Sequence, residues 1–440
     1  MFSRNSIRNK ILLLCLSAIA STPAVAAEAD TSYIFNTLLF LIGGVLVMWM
    51  AAGFAMLEAG LVRSKNVAEI CVKNVALYAV ACIMWMLMGY NLMYTDVTQY
   101  FGSFFSLWAP NDATSLAKGA EIKATGYGSG SDFFFQMVFV ATTASIVSGT
   151  VAERVKLIPF LIFTVVLAGV IYPIQGSWEW GGGWLDQMDF SDFAGSTLVH
   201  STGGWAALMG AIILGPRLGR YVNGRSRPMP GSSMPLATLG TFILWFGWFG
   251  FNGASQLALG TVSDAVSISN IFVNTNMAAA GGAIAALITT KLVYGKVDLS
   301  MVLNGALAGL VSITAEPLTP LPIEATLIGA VGGTLVVFAV PLLDKLEIDD
   351  VVGAISVHLV CGIWGTLAVP ITNGSVPFTA QLTGVVAVGL FVSAASAIVW
   401  FALKATIGIR LSPEDEERGS DLAELSMEAY PEFGKGSQKF

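Results

Sequence analysis

The chain has 440 residues, of which 55% are hydrophobic and only 12% are charged. A soluble domain carries about 25% charged residues, so this composition argues against an ordinary soluble protein and indicates a membrane protein. The formal net charge is −7, and no basic patch with interleaved aromatic residues is present, so no nucleic-acid partner is expected.

The first predicted element is a cleavable signal peptide, residues 1–26. A basic segment, 4–10, precedes an apolar run, 11–20, and the small-residue triplet Ala24-Val25-Ala26. This order is typical of a signal peptide and not of a membrane span. Its removal would leave the mature N-terminus outside the cell.

The next segment, 27–410, is predicted to be one transmembrane channel domain with eleven helices. A bilayer core of about 30 Å needs about 20 apolar residues in each helix. The predicted spans are 33–60, 70–94, 132–152, 157–175, 195–215, 235–255, 268–292, 299–314, 323–343, 353–371 and 379–404. The predicted fold class is therefore an all-α polytopic membrane protein.

Basic residues are unevenly distributed between the connections of these spans. They occur in alternate connections, for example at Arg63, Arg154 and Arg217, whereas the segment 177–192 has four acidic residues and no basic one. Lysine and arginine gather on the cytoplasmic side of membrane proteins. This pattern predicts an outside N-terminus and a cytoplasmic C-terminus.

The only two histidines lie in a repeated motif. Asp192 precedes His200, and Asp350 precedes His358, by eight residues within a shared D-x-x-G-x-x-x-V-H pattern. We interpret the motif as the trace of two five-helix repeats. The repeats cover about 33–215 and about 235–371, and an extra helix at about 379–404 follows them.

Because five is an odd number, the second repeat is expected to be inverted relative to the first. Inverted repeats are common in transporters, with the site near the middle of the membrane. Eight residues cover about 12 Å of helix, so the two histidines would approach the middle of a core about 30 Å thick from opposite faces. The sequence therefore predicts that His200 and His358 meet inside a central pore.

Ionisable groups at this depth usually line a pathway. A neutral imidazole has one donor and one acceptor, so a touching pair can line a narrow pore for a neutral solute or relay a proton. A bis-histidine haem or metal site is an alternative, although metal sites usually need further ligands and Cys361 is the only one nearby.

Aromatic residues are dense in three segments of the chain. These are 133–139, Trp178 with Trp180, and the run 245–255, which ends at Ser255. An aromatic face attracts a compact cation, and a serine hydroxyl can accept a hydrogen bond from it. We expect part of the run 245–255, at the outer end of the sixth span, to line a vestibule.

Several motifs together are specific to one family. They are Asp192-Phe-Ala-Gly-Ser-Thr-Leu-Val-His200, Trp180-Gly-Gly-Gly183, Gly247-Trp-Phe-Gly-Phe-Asn252, Ala152-Glu-Arg154 and Val357-His-Leu-Val-Cys-Gly362. In this order, over essentially the whole mature chain, they resemble the ammonium transporter (Amt/Rh) family. The resemblance implies a homotrimer in the bacterial inner (cell) membrane, with one pore in each subunit, no enzymatic activity, no cofactor and no bound metal.

The resemblance also implies an outer site and a gate. Phe139, Trp180 and Ser255 match a site that would hold ammonium by cation-π contact and a hydrogen bond. Phe139 and Phe251 match a gate of two stacked rings below that site.

Deeper in the pore, His200 and His358 match a twin-histidine pair, and Trp248 matches a pore-lining residue. Asp192 and Ala194 match the region that organises the outer site, and Asp192 also fits a helix N-cap. The expected mechanism is that ammonium loses its proton near the gate and ammonia passes the histidines. Net charge would then move if the proton crosses separately.

The last segment, 411–440, is predicted to be a cytoplasmic tail that is rich in acidic residues. It fits either a solvated, partly disordered end or a docking and regulatory segment. The resemblance implies a PII-type regulator as its partner, although the stretch 420–430 lacks a histidine that the family often has there. An ammonium sensor that signals through the tail is the main alternative function.

Overall fold

The structure is a computed structural model that describes residues 4–113 and 126–433, with the backbone alone for 4–29. Ten of its helices are long and apolar enough to cross a membrane, and an eleventh apolar helix is shorter. In chain order the eleven are α1 (Arg4–Leu61), α2 (Ser64–Tyr94), α3 (Ser129–Thr150), α4 (Leu157–Ser177), α5 (Ser196–Leu214), α6 (Met234–Ala254), α7 (Val262–Tyr294), α8 (Leu299–Ile313), α9 (Pro322–Lys345), α10 (Ile355–Thr372) and α11 (Phe378–Thr406). The predicted all-α polytopic fold is confirmed.

Some helices are longer than their predicted spans. The helix α7 begins at Val262, six residues before the predicted start, because Thr261 and Asp264 form a capping box there. A capping box satisfies backbone N–H groups of the first turn and so extends a helix beyond its apolar run. In contrast, α8 has only 15 residues.

The backbone of α1 starts at Arg4, and its membrane-length part is Asp30–Leu61. Most of the predicted signal peptide, 1–26, therefore falls where only backbone is described, and residues 1–3 lie outside the described residues. The signal peptide stays a prediction.

The helices α5 and α10 pack against each other at the centre of the molecule. Trp180, which donates to the carbonyl of Asp192, lines one cavity with Asp132 at the start of α3. Thr150, at the other end of α3, donates to the carboxylate of Asp350 at 2.9 Å. The two motif aspartates thus lie at opposite ends of α3, as the inverted repeat requires.

At the end of the molecule where Thr150 lies, charged side chains form hydrogen bonds between the segments that connect the helices. Arg154 is fully buried and donates to the carbonyl oxygens of Thr150 and Asp349, each at 2.8 Å. The carboxylate of Asp349 also accepts from Arg217 at 2.8 Å. Burial would raise the pKa of Asp349, but Arg154 and Arg217 together hold that pKa well below its usual range.

The tail packs against this same end through two short helices, α12 (Pro413–Arg418) and α13 (Ser420–Glu424). Asp421 accepts from the backbone N–H of Glu69 at 2.8 Å, and Glu424 accepts from that of Leu157 at 2.7 Å. Glu416 accepts from the N–H of Leu218 at 2.6 Å. The tail therefore contacts the first turns of α2 and α4 and the α5–α6 connection. That connection also contains a small hairpin of β1 (Tyr221–Val222) and β2 (Arg225–Ser226).

Candidate functional site

The two histidines meet at the centre of the molecule. The Nδ1 atoms of His200 and His358 are 3.2 Å apart, and their ring planes are inclined by 22°. One neutral imidazole can donate to the other at this distance, with the tautomer deciding which. Both rings are buried, at 0% and 3% exposure, and the structure brings together the two histidines that the sequence predicted would meet.

Each histidine lies in a π-helical turn at the start of its helix. The turns are Ser196–Ser201 in α5 and Ile355–Val360 in α10. Such turns are rare and occur often at functional sites, because the extra residue changes the direction of the side chains. Since both repeats contain one, the turn is part of the geometry that directs the two imidazoles at each other.

The motif aspartates hold the starts of these helices. The two carboxylate oxygens of Asp192 accept four backbone N–H groups, those of residues 195–198, at 2.7 to 3.0 Å. Asp350 accepts the N–H groups of Ile355 and Ser356, at 2.9 and 3.2 Å. Four N–H groups at a helix start have no partner within the helix, so these carboxylates replace the missing acceptors in a buried setting.

Asp192 also connects α5 to the neighbouring loop. Its N–H donates to Glu179 at 2.7 Å, and its carbonyl accepts from the indole of Trp180 at 2.9 Å. Ala194 is fully buried and donates its N–H to the carbonyl of Thr314 at 3.0 Å. Asp192 and Ala194 therefore hold the position of Trp180 and of the first turn of α5.

Two residues of α6, Trp248 and Phe251, lie beside His200, and Ser255, which caps the end of α6, follows on the same side. Trp248, Phe251 and Ser255 are three and four residues apart, which places them on one side of a helix. The ring centroids of Trp248 and Phe251 are 4.9 and 5.3 Å from that of His200. The indole of Trp248 donates to the hydroxyl of Thr314 at 2.8 Å, which fixes its orientation.

The rings of Phe139 and Phe251 are stacked on the other side of His200. Their centroids are 4.0 Å apart with an angle of 26° between planes. Both side chains are buried, at 2% and 0% exposure. Phe251 lies beside His200 and Phe139 lines the next cavity, so the stacked pair lies between the histidines and that cavity, at the predicted position of the gate.

A cavity of about 410 Å³ lies outside this stacked pair. Phe139, Trp180 and Ser255 all line it, so the structure brings the three predicted outer-site residues together. Trp180 meets Phe139 edge-on with centroids 6.2 Å apart. The hydroxyl of Ser255 donates to the carbonyl of Phe251 at 2.8 Å, which leaves its lone pairs to accept from a cation.

The sequence analysis missed a carboxylate in this cavity. Asp132 lies in the first turn of α3, is 7% exposed, and accepts from the hydroxyl of Tyr90 at 2.5 Å. Tyr94 and Tyr127 line the same space. An acidic residue at the first position of a predicted span, next to the run 133–135, was the available signal.

A much smaller cavity, about 10 Å³, lies on the other side of the histidines. Its lining is mostly apolar, with Phe54, Leu307 and Val357 among its residues, and His358 and Glu58 also reach it. A cavity of this size has room for about one water molecule. The two cavities beside the histidine pair therefore differ greatly in volume, about 410 Å³ against about 10 Å³.

The alternative of a haem or metal centre finds little support in this geometry. The 3.2 Å between the two Nδ1 atoms leaves no space for a haem plane between the rings. Within 4–113 and 126–433, no group of three or more His, Cys, Asp or Glu side chains is placed to hold a metal ion.

Comparison with known proteins agrees with the motifs. A family model described as Ammonium Transporter Family matches residues 38–430. The chain belongs to the ammonium transporter family. The resemblance inferred from the sequence is confirmed, and the family is one of transporters.

The similarity to individual members of the ammonium transporter family covers nearly the whole chain. Ammonium transporter Amt2 of Archaeoglobus fulgidus is 39% identical, over 98% of this chain and 96% of that protein. A putative ammonium transporter of Synechocystis is 40% identical, over 90% of this chain and 89% of its own.

Solved structures of the family have the same fold. A structure described as Sensor Amt Protein is 35% identical, covers 90% of this chain and 99% of its own, and gives a TM-score of 0.82. The crystal structure of Candida albicans Mep2 is 26% identical over 88% of each chain, with a TM-score of 0.76.

Proposed function

We propose that this chain transports ammonium by binding the cation in the outer cavity, removing its proton at the gate, and conducting ammonia past the two histidines. The observation that carries this proposal is the order in which three groups lie next to one another in space. A cavity with a carboxylate leads to a stacked aromatic gate, which leads to a buried imidazole pair.

Recruitment depends on the outer cavity. The faces of Phe139 and Trp180 attract a compact cation, and the Ser255 oxygen accepts one of its hydrogen bonds. The carboxylate of Asp132 adds a negative charge to the same cavity. These groups favour ammonium over neutral ammonia, so the outer cavity concentrates the charged form.

Deprotonation follows from the cost of burying a charge. Moving an isolated ion from water into an apolar interior costs several kcal/mol or more of hydration free energy, unless a partner of opposite charge offsets that cost. The gate rings and the histidines offer no formal charge to an ammonium ion. The N–H bond of ammonium therefore breaks at the gate, the imidazole pair accepts the proton, and ammonia enters as a neutral molecule that donates and accepts hydrogen bonds.

The histidine pair conducts both products of the deprotonation, ammonia and the proton. Ammonia exchanges hydrogen bonds with the imidazoles as it passes, and the proton crosses through the linked Nδ1 atoms. Transport then moves one net charge for each ammonium ion. Potassium has no proton to release, so the same path excludes it.

The surrounding organisation is proposed on the same basis. The chain is a multi-pass membrane protein, and we place its outer cavity outside the cell and its tail in the cytoplasm, as the distribution of lysine and arginine predicts. A homotrimer in the bacterial inner membrane, with a PII-type regulator at the tail, completes the proposal.

A sensor is the second candidate, because one similar structure is described as Sensor Amt Protein. The tail contacts the first turns of α2 and α4 through Asp421 and Glu424, so a change in the pore has a physical route to the tail. A sensor would bind ammonium saturably and carry negligible flux.

The test is the current across proteoliposomes adsorbed on a solid-supported membrane. A jump in ammonium is expected to give a current that saturates with concentration, and equal jumps in potassium or sodium are expected to give none. A potassium current of similar size would refute the proposed deprotonation. Saturable binding without current or ammonia flux would favour the sensor.

A further inference from the structure

The inner end of the pore contains a carboxyl group that the steps above do not use. Glu58 of α1 is 1% exposed and lines the small inner cavity with His358. Phe54 lies one turn earlier on α1, with its ring centroid 6.1 Å from that of His358. Four residues advance a helix by about 6 Å, so Glu58 lies about one turn beyond the histidine pair.

The two oxygens of Glu58 have different surroundings. Oε2 accepts from the hydroxyl of Ser148 at 2.8 Å and from the amide of Asn74 at 3.1 Å. Oε1 is buried and has no hydrogen-bond partner among the described residues. A buried acceptor without a partner is costly, so its position beside the inner cavity favours an oxygen that bonds a molecule or a proton passing through.

The charges around Glu58 favour one extra proton. Lys73 is fully buried, with its Nζ 3.7 Å from a carboxylate oxygen of Glu69 and 5.4 Å from the ring of Phe160. Both the Lys73 ammonium and the Glu69 carboxylate interact electrostatically with Glu58. One lysine and two glutamates carry a net charge of −1 when all three are ionised. Because a net buried charge is unfavourable, this cluster is most stable when its two carboxyl groups share one proton.

We propose that Glu58 is the inner proton donor and acceptor of the transport cycle. When ammonia passes His358, the O–H bond of Glu58 breaks and an N–H bond of ammonium forms, which leaves a carboxylate. An amine-type nitrogen is a much stronger base than a carboxylate, so the proton moves in this direction. Lys73, Ser148 and Asn74 stabilise the carboxylate that remains.

The proton released at the outer gate then restores the starting state. It crosses the imidazole pair and re-forms the O–H bond of Glu58. One ammonium ion is lost outside and one is formed inside in each cycle, with no other reactant. This inference rests on the proposed function, because it assigns the inner end of the same path.

The experiment compares Glu58→Gln with the wild type in two assays on the same proteoliposomes. The first is the current after an ammonium jump. The second is the entry of nitrogen into the vesicles after the same jump, measured with nitrogen-15-labelled ammonium, which counts every ammonia that crosses whether or not a proton follows it. Glu58→Asp tests for rescue, and Glu347→Gln, which changes an exposed carboxyl in the α9–α10 connection, is the matched control.

Glu58→Gln is expected to lower the current at least tenfold relative to the wild type, because glutamine has no transferable proton. Ammonia passage should stay within about twofold of the wild type, because glutamine has a similar shape. Glu58→Asp should recover part of the current, and Glu347→Gln should match the wild type. An unchanged current in Glu58→Gln would overturn the proposal. A parallel loss of both signals that Asp does not restore would also overturn it, since it shows a structural role.

The same experiment distinguishes a failure of the proposed function from a failure of the role proposed for Glu58. If the wild type itself gives no ammonium current and no ammonia passage, the transport proposal is wrong, whatever Glu58 does. If the wild type gives both and Glu58→Gln equals it in both, only the role of Glu58 is wrong.

Discussion

The outer and inner ends of the pore have the same backbone plan but differ in volume and chemistry. Each begins with an aspartate, Asp192 or Asp350, that caps a π-helical turn containing a histidine. The outer cavity measures about 410 Å³ and is lined by aromatic rings and Asp132, whereas the inner one measures about 10 Å³. The repeat therefore fixes the histidines, and the local side chains make the two ends different.

This difference separates two tasks. A wide cavity with an acidic group binds a hydrated cation, and a narrow apolar one admits a small neutral molecule. A change at the shared centre should stop transport completely, whereas a change at one end should affect only the task of that end.

The largest effect is expected at the centre. Replacing both histidines, His200→Leu with His358→Leu, removes every hydrogen-bonding group of the pair. Ammonium-dependent flux should fall to that of protein-free vesicles, measured in the same current and labelled-ammonium assays. Unfolding temperatures of the double variant and the wild type serve as the control for folding. Undiminished flux would show that the pair is not part of the pathway.

A smaller effect is expected from external pH through Asp192. Burial raises the pKa of Asp192 to about 6, although four backbone N–H donors lower it. A carboxyl group is charged above its pKa and neutral below it, so acidification from pH 7 to pH 5 removes the charge that holds the start of α5. The current should fall several-fold, while ammonium itself stays protonated throughout this range.

The variant Asp192→Asn sharpens this prediction. An amide nitrogen replaces one accepting oxygen, so two of the four backbone N–H groups lose their acceptor. The current of this variant should be low at both pH 7 and pH 5, without the fall between them that is expected of the wild type. A wild-type current that is equal at pH 5 and pH 7 would contradict the claim that the charge of Asp192 controls transport.

The smallest effect is expected at the outer cavity. Asp132→Asn removes a negative charge without changing the shape of the cavity. A loss of about 1 kcal/mol in cation attraction raises the half-saturating ammonium concentration about fivefold and leaves the maximal current nearly unchanged. Asp189→Asn, an exposed acid in the α4–α5 connection, is the matched control. A lower maximal current with unchanged half-saturation would contradict recruitment by Asp132.

Much of this architecture is predictable because the signals are local or repeated. Apolar length gives the helices, and the spacing of eight residues between aspartate and histidine gives the meeting of His200 and His358. The spacing of Trp248, Phe251 and Ser255 gives the pore-facing side of α6. Each depends on residues near one another in the chain.

The remaining features depend on contacts between distant segments. The π-helical turns arise where α5 and α10 pack against each other, and no local composition predicts them. Glu58 lies in an otherwise apolar stretch, and its partners Ser148 and Asn74 come from α3 and α2. The tail looks solvated by charge alone, but Glu416 and Asp421 accept from backbone groups far away in sequence.

The central claim is that ammonium is deprotonated at the gate and that ammonia and the released proton both cross the membrane. It is tested by recording current and internal pH together in proteoliposomes after an ammonium jump. The account predicts a saturating current with little internal alkalinisation, because each ammonia that arrives regains a proton. Strong alkalinisation without current would contradict it, since ammonia would then cross and leave its proton outside.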